Sequence, residues 1–289
     1  MAEHRDPYKA EDTGHEWDGI RELKNNPPRW WMICGYASIA FLIGYFVLYP
    51  AIPLVNKATR GLLGWTQHGE YVEGVKAIQM ARDPFEKKIA GMTAAQILAD
   101  PELSRFAQSS SKAIFGDYCA ACHGQGGQGG AGYPVLADDD WLYGGTTDKI
   151  IETIAGGRQG MMPAYETRLS KQELDDLVKF VTSLSSGQPH EPGRAVFLGQ
   201  TPAAADCSTC HGEDAKGNQD IGSANLTDKI YRFDGSDNGI RQTITHGVND
   251  DGDPASRKAR MPSFAEKLTE QQIRKLAVTV SMFGGGVKQ

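Results

Sequence analysis

Residues 119–123, Cys-Ala-Ala-Cys-His, and residues 207–211, Cys-Ser-Thr-Cys-His, decide the fold of this chain. Both have the Cys-x-x-Cys-His spacing of a c-type haem attachment site. Two thiols on one helical turn can bond the two vinyl groups of a porphyrin, and the next residue, histidine, then lies beneath the iron. The sequence therefore predicts two covalently bound haem c groups, attached at Cys119 and Cys122 and at Cys207 and Cys210, with His123 and His211 as axial ligands.

Other uses of paired cysteines fit the sequence less well. A structural zinc site joins two Cys-x-x-Cys pairs across roughly 15–20 residues, whereas about 84 residues separate Cys122 from Cys207. A thioredoxin-like redox pair needs a strand–helix–strand context, but both motifs lead into glycine-rich stretches. Cys34, the fifth cysteine, lies in an apolar segment, where we expect a buried, unreactive thiol.

Length and charge restrict the class of protein. The 289 residues suffice for about two domains. The net charge of −6 gives no basic surface for nucleic acid. The 34 glycines suit loops that surround a flat cofactor.

An uncharged run from Trp30 to Asn56 predicts one transmembrane helix over residues 30–52. A buried core helix would rarely lack charge for so long, and a cleaved signal peptide would not follow a long acidic segment. The helix is therefore expected to stay as a single-pass anchor in a bacterial inner membrane. Because c-type haem is attached outside the cytoplasmic membrane, residues 1–29 should be cytoplasmic and the haem domains periplasmic.

The soluble part is an internal repeat with an offset near 90 residues. Each half comprises a short helix ending in the haem motif, a glycine-rich loop, a middle helix, a Met-Pro loop and a final helix with a capping box. The second half has about nine extra polar residues after Gly247. The predicted fold is all-α: one N-terminal transmembrane helix, a partly helical periplasmic linker, and two tandem class I cytochrome c domains. The linker covers residues 53–105 and is helical near 93–98, and the domains cover 106–188 and 189–285.

The second axial ligand of each iron is predicted to be a methionine before a proline, Met162 or Met261, at matching places in the repeat. Thioether sulfur is a soft ligand that favours ferrous iron. Met161 is an alternative to Met162, although its counterpart in the second half is Arg260. The sequence leaves open whether each methionine serves its own half or the other half.

Four other residues have two interpretations each. His246, a lone loop histidine, is expected to be a surface or hydrogen-bonding residue rather than an iron ligand. Arg158 either reaches a haem propionate or is solvated. Trp141 and Tyr143 pack either at a haem edge or in an ordinary core.

Three segments, NNPPRWWMICGYASIAFLIGYFVLYP from 25 to 50, DDDWLYGG from 138 to 145 and GRQGMMPAY from 157 to 165, closely resemble the dihaem c-type subunit of cbb3-type cytochrome c oxidases. The resemblance covers nearly the whole chain. It implies a subunit anchored beside a haem–copper catalytic subunit and a monohaem c-type subunit. Such a subunit passes electrons from a periplasmic cytochrome c donor toward oxygen reduction and has no catalytic centre of its own.

Two alternative functions stay in view at this point. A free-standing membrane-anchored dihaem carrier differs from an oxidase subunit only in its partners. A haem enzyme or sensor, such as a peroxidase, would need an open iron, and a methionine for each haem disfavours it.

Overall fold

The computed structural model of the chain describes residues 11–24 and 26–285. Within these ranges the fold is helical apart from one two-stranded hairpin, and the residues form two compact units that divide after Arg82. The elements in chain order are β1 (Asp12–Trp17), β2 (Ile20–Leu23), α1 (Arg29–Leu48), α2 (Gln67–Ile89), α3 (Ala94–Ala99), α4 (Pro101–Tyr118), α5 (Ala120–His123), α6 (Thr147–Gly156), α7 (Lys171–Leu184), α8 (Glu191–Phe197), α9 (Ser208–His211), α10 (Asp237–His246) and α11 (Glu270–Ser281).

The hairpin of β1 and β2 is a departure from the all-α prediction. Its strands pair antiparallel, with Trp17 opposite Ile20. Asp18 and Gly19 between them have φ of 46° and 82°. An Asp-Gly pair with positive φ at both positions forms the two-residue turn that suits the twist of a hairpin. The Asp18-Gly19 dipeptide is therefore the feature of the sequence that indicates this hairpin.

Helix α1 is the predicted membrane helix. It is long and apolar enough to cross a membrane, and none of its residues is buried within the chain. A core helix would be covered by other elements, so this exposure favours a membrane position. The helix ends at Leu48, before the predicted limit at residue 52, because Pro50 cannot donate a helical hydrogen bond. Cys34 is exposed on this helix, so the prediction of a buried cysteine is wrong.

The predicted linker, residues 53–105, contains more helix than expected. Helix α2 extends through much of it, although Gly69, Gly74 and Pro84 interrupt its sequence pattern. The expected helix near residues 93–98 is α3, which begins after a Thr93–Gln96 capping box.

Helix α4 begins ahead of residue 106, the predicted start of the first domain. Asp100 caps it by accepting hydrogen bonds from the backbone N–H groups of Glu102 and Leu103, and Pro101 occupies the first turn, where a missing N–H costs nothing. The cap therefore moves the start of the helix into the predicted linker.

The repeat is present in the order of the elements. Helices α5, α6 and α7 recur as α9, α10 and α11, and the predicted capping boxes at Ser170 and Thr269 both form. Each middle helix ends at a glycine with positive φ, Gly157 or Gly247.

The final helix of each half packs against the other half of the chain. Helix α7 lies on α8 and α10, and α11 lies on α4 and α6. Two apolar cores result, which we call the first and second cores. The first core contains Phe115, Ile150, Ile154, Phe264, Leu268, Ile273, Leu276, Ala277 and Val280. The second core contains Tyr165, Leu177, Val178, Phe180, Val181, Val196, Phe197, Ala205, Ala215, Ile240 and Ile244.

Because of this exchange, the predicted domains are not the units that pack together. The ranges 106–188 and 189–285 follow the sequence repeat but not the packing, because the chain crosses from the first core to the second after α6 and returns after α10. The arrangement is reciprocal, as in a swapped dimer, but both copies belong to one chain.

Candidate haem sites

The first haem motif is a single helical turn at the end of α4. Cys119 is the C-cap of α4, and its carbonyl accepts hydrogen bonds from the N–H groups of Cys122 (3.1 Å) and His123 (2.9 Å). Both thiols and the imidazole therefore project from one helical turn, as attachment to one porphyrin requires.

The imidazole of His123 is prepared for metal coordination. Its Nδ1 lies 3.0 Å from the carbonyl oxygen of Pro134. A carbonyl only accepts hydrogen bonds, so Nδ1 carries the proton and the lone pair of Nε2 is free. Burial lowers the pKa of His123, which keeps the ring neutral near pH 7. A neutral ring held through its other nitrogen is the usual state of a metal-ligating histidine.

The second motif repeats this geometry. Nδ1 of His211 lies 2.9 Å from the carbonyl oxygen of Ala224, and burial lowers the pKa of His211 as well. The two sites are thus equivalent in the atoms that would hold iron.

The cysteines have the wrong properties for a redox pair. All of the motif thiols are free, and Cys119 and Cys207 are partly buried. Burial raises the pKa of both thiols to about 11. Redox-active Cys-x-x-Cys pairs and zinc sites need thiolates, which a raised pKa disfavours. Neutral thiols at Cys119 and Cys207, packed against the two apolar cores, instead fit thioether attachment.

The loop after each motif returns the chain to the histidine. Gly124 and Gly212 end the turn, each with φ of 76°. Leu136 then donates its N–H to Gly127, as Leu226 does to Ala215. Ala215 adopts φ of 58° at the place where the first half has glycine. The glycine-rich loop therefore closes with the same backbone hydrogen bond in both halves, although its span is two residues longer in the second half.

Each Met-Pro loop, like the final helix that follows it, packs with the other half of the chain. Met162 pairs with Val248 through two backbone hydrogen bonds of 2.9 Å, and Met261 pairs with Arg158 through bonds of 2.8 and 2.9 Å. Met162 packs against the second core, as does Cys207. Met261 packs against the first core, as does Cys119. Each methionine therefore lies with the haem motif of the other half.

Two glycines allow these backbone pairs to approach closely. A Cβ atom at Gly157 would overlap the Met261 carbonyl oxygen, and one at Gly247 would overlap the Met162 carbonyl oxygen. Both residues also have φ of 70°, which side chains disfavour.

Met161 and Met162 differ in their surroundings. The side chain of Met161 is 70% exposed, whereas Met162 packs against the second core. This difference favours Met162 as the ligand.

The four residues with two interpretations have definite partners. The Arg158 guanidinium donates to Thr153 (3.0 Å) and Glu152 (2.9 Å) and lies 4.7 Å from the centre of the Tyr143 ring. Trp141 packs against the first core. His246 hydrogen-bonds Asp253, as its predicted role requires.

Comparison with known proteins identifies the family. The family model described as "Cytochrome C oxidase, cbb3-type, subunit III" matches residues 107–181 and 197–278. The model described as "N-terminal domain of cytochrome oxidase-cbb3, FixP" matches residues 9–56. The chain belongs to the FixP/CcoP family of cbb3-type oxidase subunits. A FixP subunit of Azorhizobium caulinodans is 43% identical over 95% of this chain and 93% of its own length.

The CcoP subunit of Cereibacter sphaeroides is 36% identical, and the match covers 97% of each chain. Membership of this family makes the chain a membrane-anchored cytochrome c subunit of an oxidase complex, with covalently bound haem c. The two motif turns, with their neutral histidines and free thiols, fit that cofactor.

Proposed function

We propose that this chain binds two haem c groups and relays electrons from a periplasmic cytochrome c donor to the haem–copper catalytic subunit of a cbb3-type oxidase, which reduces oxygen to water. The observation that carries the proposal is the equivalence of the two sites: each has a histidine with a free Nε2 and a methionine loop from the other half. Each haem c, when bound, supplies a one-electron centre.

The ligands are assigned across the halves. Cys119 and Cys122 would attach the first haem, with His123 and Met261 as the ligands of its iron. Cys207 and Cys210 would attach the second haem, with His211 and Met162 as the ligands of its iron. The packing of each methionine with the opposite motif supports this assignment.

With a histidine and a methionine to hold each haem iron, oxygen and peroxide would have no open coordination position on either haem. This favours relay over a peroxidase or sensor. Both motifs lie in the same compact unit, from Asp83 onward, and the two backbone pairs that join the methionine loops link the cores directly. These contacts support transfer between the two centres.

In our proposal the haem domains are periplasmic, residues 1–29 are cytoplasmic, and a monohaem c-type subunit completes the complex. A free-standing carrier would use the same soluble domains. The match of residues 9–56 to an oxidase-specific N-terminal domain favours the oxidase subunit.

Purification through a tag on this chain, in mild detergent, tests the role. The complex should contain a haem–copper subunit and consume oxygen with reduced cytochrome c, and the isolated chain should not. Absence of any haem–copper partner, or full oxygen uptake by the isolated chain, contradicts the proposal.

Protease treatment of intact spheroplasts tests the orientation. The haem domains should be digested together with a known periplasmic control protein. Survival of full-length haem-stained chain under those conditions contradicts a periplasmic position.

Substitution of the methionines tests the ligands. Met162→Leu should remove the near-infrared Met-to-iron band of one haem and make that haem reactive to carbon monoxide. Met161→Leu is the matched control and should change neither property. The reverse result would assign the neighbouring methionine instead.

A further inference from the structure

A group of side chains able to bind a metal ion lies outside both haem motifs. Glu166 follows the Met162 loop, His246 is the last residue of α10, and Asp253 belongs to the insertion of the second half. We propose that Glu166, His246 and Asp253 bind a divalent transition-metal ion, with zinc as the best-matched probe.

The three side chains are already close to a coordinating arrangement. One ligand atom from each lies within 4.8 Å of the other two, and Nδ1 of His246 is 2.8 Å from Oδ2 of Asp253. Zinc ligands about 2.0–2.2 Å from the ion in a tetrahedron stand roughly 3.4 Å apart. Glu166 is exposed, so rotation of its side chain, together with a small opening of the His246–Asp253 hydrogen bond, can complete the site.

Backbone contacts fix the three segments that supply these ligands. The N–H of Glu166 donates to Thr245 (3.1 Å), next to His246. The N–H of Ala164 donates to the Asp250 carboxylate (2.7 Å), which joins the Met162 loop to the insertion. The N–H of Ala255 holds Oδ1 of Asp253 (2.7 Å). The ligands therefore come from segments that are positioned before any ion binds.

The donor set and the charge select the kind of ion. One imidazole nitrogen with two carboxylates suits zinc and related ions, whereas magnesium and calcium prefer oxygen alone. The two carboxylates of the group attract a cation. Lys258, the nearby cation, pairs with Asp251 at 3.9 Å.

The chain contains a matched control for this site. His190 and Asp176 form a similar pair, with Nε2 of His190 3.0 Å from Oδ1 of Asp176. Within the described residues, this pair is not part of a three-donor group. A nonspecific affinity of zinc for His–Asp pairs would therefore be the same at both places.

An ion bound here would join the Met162 loop to α10 and to the insertion. This consequence rests on the proposed ligation of the second haem by Met162. Zinc should then stabilise the Met-to-iron bond of that haem and leave the first haem unchanged.

Zinc titration of the chelator-washed, haem-loaded full chain tests the proposal. Calorimetry should detect one zinc ion bound per chain. The affinity for that ion should fall at least about 10-fold in Glu166→Gln and in His246→Asn, and it should be unchanged in His190→Asn. Glu166 is exposed, so its variant tests the site without disturbing the fold. Equal zinc affinity in wild type and Glu166→Gln overturns the site.

A thermal measurement and a further variant separate this site from the haem assignment. Zinc should raise the unfolding temperature of the wild type but not of Glu166→Gln, and an equal rise in both contradicts the site. Met162→Leu should still bind zinc, since Met162 is not a zinc ligand. If zinc binds as proposed but Met162→Leu leaves both Met-to-iron bands intact, the haem assignment fails and the zinc site stands.

Discussion

Single glycines determine where the two methionine loops lie. Gly157 and Gly247 combine positive φ with close contact to the carbonyl oxygens of Met261 and Met162. No other residue type satisfies both conditions at low cost. Each of these glycines therefore helps to position the methionine that we propose as a ligand of a haem iron.

Replacing Gly247 with alanine should displace Met162 and weaken the Met-to-iron band of the second haem. Alanine adopts this backbone conformation, φ of 70° with ψ of −170°, only at a cost of about 1–3 kcal/mol, and the overlap with the carbonyl adds to it. Near-infrared spectra and thermal unfolding measure both effects. Gly156→Ala is the control, since a Cβ there meets open space. Unchanged spectra in Gly247→Ala would show that this backbone pair does not position Met162.

The cap of α4 should make a pH-dependent contribution to stability. Hydrogen bonds from the N–H groups of Leu103 and Glu102 lower the pKa of Asp100. A lowered pKa means that the carboxylate stabilises the fold above its ordinary pKa of about 3.9, and that this contribution is lost as the pH falls through the lower folded value.

The difference in unfolding temperature between wild type and Asp100→Ala should therefore be full at neutral pH and shrink below about pH 4. Thr93→Ala removes a neutral cap from the adjacent helix α3 and should give a difference that does not change with pH. A constant difference for Asp100→Ala as well would contradict a charge-dependent cap.

At the scale of elements, the end of α2 is fixed to α11 by a buried charge pair. Nζ of Lys275 lies 2.7 Å from Oε1 of Glu86, and Gln271 donates to the other carboxylate oxygen at 2.7 Å. The Lys275 side chain is only 8% exposed, and that of Glu86 is 28% exposed. The C-terminal end of α2 is thus joined to α11.

Glu86→Leu should destabilise the chain by up to about 3 kcal/mol, the low end of the cost of one unpaired buried charge, because the site retains some solvent access. The double variant Glu86→Leu, Lys275→Met should recover most of that loss, since no charge is then left unpaired. Denaturant unfolding followed by haem absorbance measures both. Equal losses in the single and double variants would show that packing, not charge, dominates.

Local patterns explain which elements the sequence predicts. The haem motifs, capping boxes and membrane helix depend on residues a few positions apart, so they are visible without the fold. Helix α2 is less visible because Gly74 and Pro84 weaken its pattern. The hairpin at Asp18 and Gly19 is a two-residue signal in an otherwise polar segment.

At the scale of the whole molecule, the exchange of final helices could not be predicted from the repeat. Tyr165 and Phe264 occupy equivalent places after the Met-Pro loops, and each donates its N–H to the middle helix of the other half, to Ile244 and Ile154 respectively. The two middle helices have the same sequence pattern. The sequence is therefore equally compatible with a Met-Pro loop that bonds the middle helix of its own half and with one that bonds the middle helix of the other half. Only the three-dimensional packing distinguishes them.

The exchange predicts that the halves stay together without a covalent connection. A protease site placed in the exposed loop 186–189 should be cleavable, and both fragments should remain associated with two low-spin haems. Size-exclusion chromatography and absorption spectra test this.

A chain ending at residue 188 should, in contrast, bind carbon monoxide at its haem, because it lacks both α11 and Met261. Separation of the fragments after cleavage, or a low-spin haem in the truncated chain, would contradict exchanged halves.

Because the chain crosses between the two cores, its two haem sites would be completed at different times during synthesis. A chain emerges from its N-terminus, so Met162 is made before His211, but His123 is made long before Met261. With the proposed ligand assignment, a haem attached at Cys119 and Cys122 would wait longest for its methionine. Until α11 arrives, the iron of that haem would stay open to small molecules. Closure of the first site would thus report that the chain has been made as far as α11.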